Sequence, residues 1–273
     1  MTIEELLSDS TQLLASAGVE TARLDALVLL SDITRKDRSH LLAHPEFELS
    51  NEQLKALQKL LDRRVKHEPL AYIRGKTEFY GREFILTHDV LEPRPESETM
   101  IELLKTQIKQ QAVGTIIDVG TGSGALAITA KLESPESSII AIDIDPNCLN
   151  VAKQNAQKHN VSIQFMKNNL LEPSNITPVI SPLVVLANLP YVPDDFHINE
   201  AALQEPRLAI FGGSDGLDLY RTMFEQLSKD YQQPALVFTE SLPFQHHELA
   251  NIARAQGFAQ IAKEDFIQVF QNF

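Results

Sequence analysis

Thr115-Ile116-Ile117-Asp118-Val119-Gly120-Thr121-Gly122-Ser123-Gly124 is the stretch on which the fold turns. An apolar run rich in β-branched residues breaks into three closely spaced glycines, and Ala125 to Lys131 then reads as a helix. Small residues at such a turn let backbone N–H groups approach a ligand, and the helix that follows adds the positive end of its dipole. A second apolar run, Ser138 to Ile142, ends at Asp143, a carboxylate suited to accept both hydroxyls of a ribose held over the first turn. Together they predict a site for a nucleoside-bearing cofactor at the carboxyl ends of parallel strands.

The pattern continues outward. Ser162 to Met166, Leu183 to Ala187 and Ala235 to Thr239 read as further strands, and Pro146 to His159 and Leu217 to Lys229 as helices. Such alternation is the sequence sign of crossover units on a parallel-rich sheet covered on both faces, a Rossmann-like α/β fold. Upstream the period changes. Leu6, Leu13 and Leu14, then Leu27 and Leu30, then Leu54, Leu57 and Leu61 recur at helical spacing, and Thr2 with Glu5 and Ser50 with Gln53 have capping-box spacing. We therefore expect an N-terminal helical bundle over 1–76, a hairpin linker over 77–98 in which two short strands flank a glycine turn at Gly81, and a catalytic α/β domain over 99–273.

Composition narrows the classes. The 273 residues are 43% hydrophobic and 22% charged, enough for a sizeable core. Lys and Arg number 24 against 37 Asp and Glu, a net charge of −13 that works against general attraction to a phosphate backbone. A lone cysteine, Cys148, forms no internal disulfide, no apolar run reaches the ~20 residues that span a bilayer, and the acidic start lacks the basic region of a secretory signal. These features point to the cytoplasm, without a membrane partner.

Gly120, Gly122 and Ala125 also satisfy the dinucleotide pattern G-x-G-x-x-A, so the glycines leave NAD and S-adenosylmethionine both open. Asp118 favours the second, because its charge is awkward beside a pyrophosphate and suits an amino group or a sulfonium. The fourth strand then runs into Asn188-Leu189-Pro190-Tyr191. That tetrapeptide suits the holding of a planar NH2 group: Asn188 Oδ1 accepts one N–H, the Leu189 carbonyl accepts the other, Pro190 restrains the backbone and Tyr191 covers the plane.

These residues resemble those of S-adenosylmethionine-dependent methyltransferases of class I that modify amino groups on planar systems. Glu68-Pro69-Leu70-Ala71-Tyr72-Ile73-Arg74-Gly75, Glu78-Phe79-Tyr80-Gly81, Pro93-Arg94-Pro95-Glu96-Ser97-Glu98 and Glu205-Pro206-Arg207-Leu208-Ala209 narrow the resemblance to the peptide chain release factor glutamine methyltransferases, the PrmC or HemK family. The resemblance implies methylation of the glutamine side-chain amide in the Gly-Gly-Gln loop of class I release factors, with the helical domain gripping the protein substrate. It implies S-adenosylmethionine bound by Gly120, Thr121, Gly122, Ser123, Gly124 and Asp143, with Asn169 and Leu170 flanking the adenine. It assigns Asn188, Leu189, Pro190 and Tyr191 to the substrate amide, with Asn188 also beside the cofactor and with Asn188 and Tyr191 as the catalytic pair. No metal is implied.

Leu189 stands where the family usually has proline, and the C-terminal stretch Glu264 to Val269 lacks the family's usual Gly and Arg. Two alternatives therefore stay open: an N6-adenine methyltransferase of nucleic acid, since Asn-Leu-Pro-Tyr resembles the form in ribosomal RNA adenine dimethyltransferases, and a binding module of the same fold with weakened catalysis. Restoring proline at position 189 is expected to be tolerated. Three motifs are decoys: Gly212-Gly213-Ser214-Asp215-Gly216 matches a hydrolase nucleophile elbow but reads better as a loop with Asp215 capping the next helix; His246-His247 reads as a solvated pair; Cys148 reads as a packed thiol.

Overall fold

The computed structural model describes residues 1–110, 113–172, 176, 179–199, 201–231 and 235–272. They form two compact units, one of Met1–Lys76 with Ile198–Gln204, the other of Thr77–His197 with Glu205–Phe273.

The first unit is helical: α1 (Ile3–Ser16), α2 (Ala22–Thr34), α3 (Arg38–Ala43), α4 (Asn51–Arg64) and α5 (Leu70–Arg74). Both expected capping boxes form, Thr2 exchanging hydrogen bonds with Glu5 and Ser50 with Gln53, so the first turns of α1 and α4 do not fray. Ile3, Leu14, Leu29, Leu30, Leu41, Leu57 and Leu61 make the core, whereas Leu13 and Leu24 are exposed. The Glu68 to Gly75 segment has a structural task here. Arg63 Nε donates to Glu68 at 2.7 Å and Arg64 Nη1 to the Glu68 carbonyl at 3.1 Å, while Arg64 Nε also pairs with the buried Asp25 at 2.6 Å. Gly75 ends α5 at φ 69°, the left-handed conformation that glycine adopts without strain.

The second unit opens with the hairpin β1 (Lys76–Phe79) and β2 (Arg82–Ile85). Its turn residues Tyr80 and Gly81 both have positive φ, as a tight turn between twisted strands requires, and Phe79 and Phe84 are buried. Next come α6 (Glu98–Gln110), β3 (Thr115–Val119), α7 (Ala125–Glu133), β4 (Ser138–Asp143), α8 (Pro146–Lys158), β5 (Gln164–Lys167) and β6 (Leu183–Ala187). The chain closes with α9 (Asp218–Asp230), β7 (Ala235–Glu240), α10 (His246–Ala255), β8 (Phe258–Glu264) and β9 (Ile267–Asn272).

The seven-stranded sheet has the order β5-β4-β3-β6-β7-β9-β8, parallel from β5 to β7, with β9 antiparallel to both β7 and β8. The parallel strands β3, β4, β6 and β7 are buried on both faces: Ile116 packs into one core layer with Ile101 and Ala127, and Ile117 into the other with Phe224 and Leu249. The order reverses between β3 and β6, and a crevice at such a switch point is where open α/β sheets place their ligands. Register then aligns the ends of four strands: Val119 pairs with both Ile142 and Ala187, and Ala187 with Thr239. The next residues along these strands are Asp143, Gly120, Asn188 and Glu240, one row along the carboxyl edge.

The Asp25–Arg64 pair gives a stability test for the helical unit. Asp25→Ala strands a buried guanidinium and is expected to cost about 3 to 5 kcal/mol. Denaturant unfolding should register that loss, and the double variant Asp25→Ala/Arg64→Met should recover part of it.

Candidate functional site

Gly120, Gly122 and Gly124 all have positive φ, and their turn folds back on the neighbouring strand, where the Gly120 and Thr121 N–H groups both donate to the Ile142 carbonyl at 2.8 Å. Gly122 N–H donates to Asp143 Oδ2 at 2.9 Å, and Asp145 N–H donates to Oδ1 at 2.9 Å. A carboxylate offers about four acceptor directions, so the Asp143 carboxylate is not filled by these two donors. Burial raises its pKa above the usual carboxylate value, and the backbone N–H donors oppose that rise. A Cβ on Gly122 would meet open space, whereas one on Gly124 would lie 3.1 Å from the Ala152 methyl. Gly124 thus packs the turn against α8 while Gly122 leaves room above it. Ser123 is buried, its carbonyl held by Asn155 Nδ2 at 2.9 Å.

Asp118 departs from expectation. It is buried beneath the turn, where Oδ2 accepts from Thr121 Oγ1 at 2.6 Å and from Ala127 N–H at 3.1 Å, so the carboxylate braces the loop instead of facing a sulfonium. Burial pushes its pKa up to about 6. Past β5, Leu170 is buried at φ 52°, and the exposed Asn169 donates from Nδ2 to Glu172 at 2.9 Å. This leaves Asn169 Oδ1 as its acceptor.

The tetrapeptide is held from several sides. Leu189 is 2% exposed, and a Cβ on Gly120 would lie 3.1 Å from its Cδ2, so the two motifs pack on each other. Leu189 N–H donates to the buried Tyr220 hydroxyl at 3.2 Å. Gln245 Nε2 donates to the carbonyls of both Tyr191 and Asp215 at 2.7 Å. A Cβ on Gly212 would fall 2.2 Å from the Pro190 carbonyl oxygen, and one on Gly216 would fall 2.0 Å from that of Tyr191. Only glycine lets that loop lie against the tetrapeptide backbone. Beneath it, Asn188 Nδ2 donates to Ser97 Oγ at 2.9 Å, Ser97 donates to Glu240 Oε2 at 2.6 Å, and the Tyr191 hydroxyl donates to Glu240 Oε1 at 3.1 Å.

A family model for the PrmC N-terminal domain matches residues 5–75, and one for the ribosomal protein L11 methyltransferase matches residues 95–189. The release factor glutamine methyltransferase of Coxiella burnetii is 32% identical over 263 residues, covering 96% of this chain and 93% of that protein. The chain belongs to this family. The corresponding protein of Koribacter versatilis is 34% identical over 230 residues, 83% of this chain and 81% of its own length. The chain spans about half the length of other relatives, such as the bifunctional methyltransferase of Rickettsia typhi, 34% identical over 85% of this chain and 48% of that protein. Among solved structures, the hMettl16 catalytic domain superposes with TM-score 0.52 at 12% identity, covering 90% of this chain and 89% of that one. The T. thermophilus 16S rRNA N2 G1207 methyltransferase superposes with TM-score 0.51 at 15% identity, over 72% of this chain and 49% of that one. These likenesses support the class I methyltransferase fold.

The family segments outside the sheet now have physical tasks. Arg94 donates from Nη2 to both oxygens of the buried Glu205 at 2.7 Å, tying Pro93–Glu98 to Glu205–Ala209. Ser97 joins the Asn188 network, and Glu98 accepts from Tyr80 N–H at 2.7 Å. Sequence reasoning missed Glu240, Gln245 and Tyr220. The expected strand ends at Thr239, one residue short of Glu240, although an acidic residue closing this fifth strand repeats the signal that marks Asp143.

The decoys resolve as well. Ser214 is exposed on a loop that follows only an isolated bridge, Val192 to Phe211, without the strand a nucleophile elbow needs. Asp215 accepts from Leu217 N–H at 3.1 Å, but α9 starts at Asp218 with Leu217 as its cap, so the expected capping role shifts to the turn before the helix. His246 is buried, not solvated, and burial lowers its pKa. Among the described residues no group of three or more His, Cys, Asp or Glu is placed to hold a metal ion, and no helix is long and apolar enough to cross a membrane. Burial pushes the Cys148 thiol up to about 12, so its place near the start of α8 does not activate it.

Two predictions follow from these contacts. Leu189→Pro removes the N–H that Tyr220 accepts, so the substitution expected from sequence to be tolerated should cost about 1 to 3 kcal/mol in denaturant unfolding. The Asp118 carboxyl, raised from an ordinary 3.8 to about 6, binds its proton more tightly when folded. Its contribution to stability is present below pH 3.8 and is lost as pH rises through 6, on the order of 3 kcal/mol. Asp118→Asn should remove that decline from the pH dependence of unfolding.

Proposed function

We propose that this chain transfers a methyl group from S-adenosylmethionine to the side-chain amide nitrogen of the glutamine in the Gly-Gly-Gln motif of class I peptide chain release factors. The observation that carries the reading is the row Asp143, Gly120, Asn188 at the sheet switch point in a chain of this family. In this reading the Gly120–Gly124 turn takes the methionine part, Asp143 the ribose hydroxyls, and Asn169 Oδ1 and Leu170 the adenine. Bound there, S-adenosylmethionine supplies an electrophilic methyl carbon on a sulfonium. The residues fit it: Gly122 leaves open space, Asp143 keeps acceptor capacity, and Asn169 offers an oxygen.

An amide nitrogen is a poor nucleophile because its lone pair is delocalised. Asn188 Oδ1 and the Leu189 carbonyl accept its two N–H groups, which turns the lone pair toward the methyl carbon in an in-line geometry. Tyr191 covers the amide plane. The methylated nitrogen is strongly acidic and loses its proton without a basic side chain, in keeping with a tetrapeptide that has none. The helical unit, which carries none of these groups, is the docking element for the protein substrate, and the release factor as substrate places the reaction in the cytoplasm.

Labelled S-adenosylmethionine offered with a release factor, with its Gly-Gly-Ala version and with RNA tests the assignment. Label should enter only the glutamine-bearing factor, and Asn188→Ala should lower kcat by about 10² to 10³ while cofactor affinity in calorimetry changes little. Label in RNA with the factor untouched establishes the adenine enzyme instead.

A further inference from the structure

Glu240 closes β7 and is 1% exposed, and no step of the proposed transfer uses it. Register puts it in the same row as Asn188, through the pairing of Ala187 with Thr239. Both of its oxygens are occupied: Ser97 Oγ donates to Oε2 at 2.6 Å and the Tyr191 hydroxyl to Oε1 at 3.1 Å. Its backbone carbonyl accepts from the Tyr220 hydroxyl, which also receives Leu189 N–H. One buried residue thus touches the supports of three of the four tetrapeptide positions.

An ionised carboxylate only accepts hydrogen bonds, whereas a hydroxyl has a single proton to donate. Ser97, 2% exposed, gives that proton to Glu240, so toward Asn188 it has only lone pairs. Asn188 must then face Ser97 with its NH2, and Nδ2 lies 2.9 Å from Ser97 Oγ. The half-buried carboxamide is left with Oδ1 on its other side, where it accepts no hydrogen bond among the described residues. A reversed Asn188 would set Oδ1 against Ser97 Oγ, lone pair against lone pair, in a dry place where unpaired polar atoms are costly. Burial raises the Glu240 pKa, and the Ser97, Tyr191 and Asn188 hydrogen bonds favour its charged form, against the nearby Glu96 charge.

We propose that Glu240 is a positioning residue that sets the direction of this hydrogen-bond chain, so that Asn188 presents a carbonyl oxygen and selects a ligand bearing N–H, a carboxamide over a carboxylate. The inference deepens the amide-methylation reading and rests on it for the identity of the ligand. The direction of the chain itself rests only on Glu240, Ser97 and Asn188.

The decisive variant is Glu240→Gln, nearly isosteric but able to donate. A donor at this position can supply Ser97 and free the serine proton for Asn188 Oδ1, which allows the carboxamide to turn. Competition between release factors carrying Gly-Gly-Gln and Gly-Gly-Glu in that loop then reads the effect. The wild type should prefer the glutamine factor, and Glu240→Gln should lower that preference by roughly tenfold or more, with kcat reduced and the calorimetric Kd for S-adenosylmethionine within about twofold. Ser97→Ala should act likewise and non-additively with Glu240→Gln, whereas Ser97→Thr, which keeps the hydroxyl, should restore wild-type behaviour.

A reading that needs no substrate is the exchange of the Asn188 side-chain amide protons by NMR, with one slow in the wild type and both fast in Glu240→Gln and Ser97→Ala. An unchanged glutamine-to-glutamate preference, or unchanged Asn188 exchange in both variants, overturns the proposal. If the wild type leaves the factor unlabelled while Asn188 exchange behaves as expected, the methylation reading falls and the direction of the chain stands.

Discussion

The parallel pairing of β3 with β6, in the register that sets Val119 opposite Ala187, is the constraint on which the rest of the site depends. The glycine turn and the tetrapeptide are far apart in sequence and carry different chemistry. Adjacent strands lie ~4.8 Å apart, so this register makes Gly120 and Asn188 neighbours, and Gly120 has no side chain to keep Leu189 away. A shift of one residue would turn every side chain of β6 to the opposite face and take Asn188 out of the row.

Burial of acids is the second feature of the α/β unit. Asp118, Asp143, Glu205 and Glu240 are all nearly inaccessible, and burial raises the pKa of each. Buried carboxylates are costly unless their lone pairs are met, and each of these meets specific donors: the Thr121 hydroxyl and Ala127 N–H, the Gly122 and Asp145 N–H groups, Arg94, or Ser97 and Tyr191. What they provide is directional acceptance. Three hold loops at the carboxyl edge of the sheet, and Arg94 with Glu205 joins two loops that flank it. The net charge of −13 is therefore not only a surface property.

The glycine loop at 212–216 shows why a motif must be read with its surroundings. Its pattern fits a nucleophile elbow, yet Gly212 and Gly216 answer to a backbone that lies against them, the Pro190 and Tyr191 carbonyls. Gln245, from the turn after β7, closes the same contact by donating to Tyr191 and Asp215 together. The tetrapeptide is rigid through these neighbours, so Leu189 in place of a first proline gives up little order, and its N–H contributes a bond that proline cannot make.

Much of this was determined by the sequence alone. Local signals are set by neighbours a few residues away: the capping boxes at Thr2 and Ser50, the turn at Gly81, the β-branched runs that became β3, β4, β6 and β7, and the glycines with positive φ. The family segments were legible as segments too. Strand ends were read less well, because hydrophobic periodicity fades where a strand meets polar residues, and β5 begins two residues later than expected. Only the tertiary structure decided which polar residues meet. Asp118 sits in a strand whose two faces are both buried, so it turned inward to the loop, a direction no spacing encodes. Glu240 stands 143 residues from Ser97, and their hydrogen bond exists because α6, whose Met100 and Ile101 share a core layer with Phe238 of β7, sets the segment before it beside the end of that strand. A hydrogen bond acts over about 3 Å, and across such a sequence distance only the packed sheet determines who is within reach.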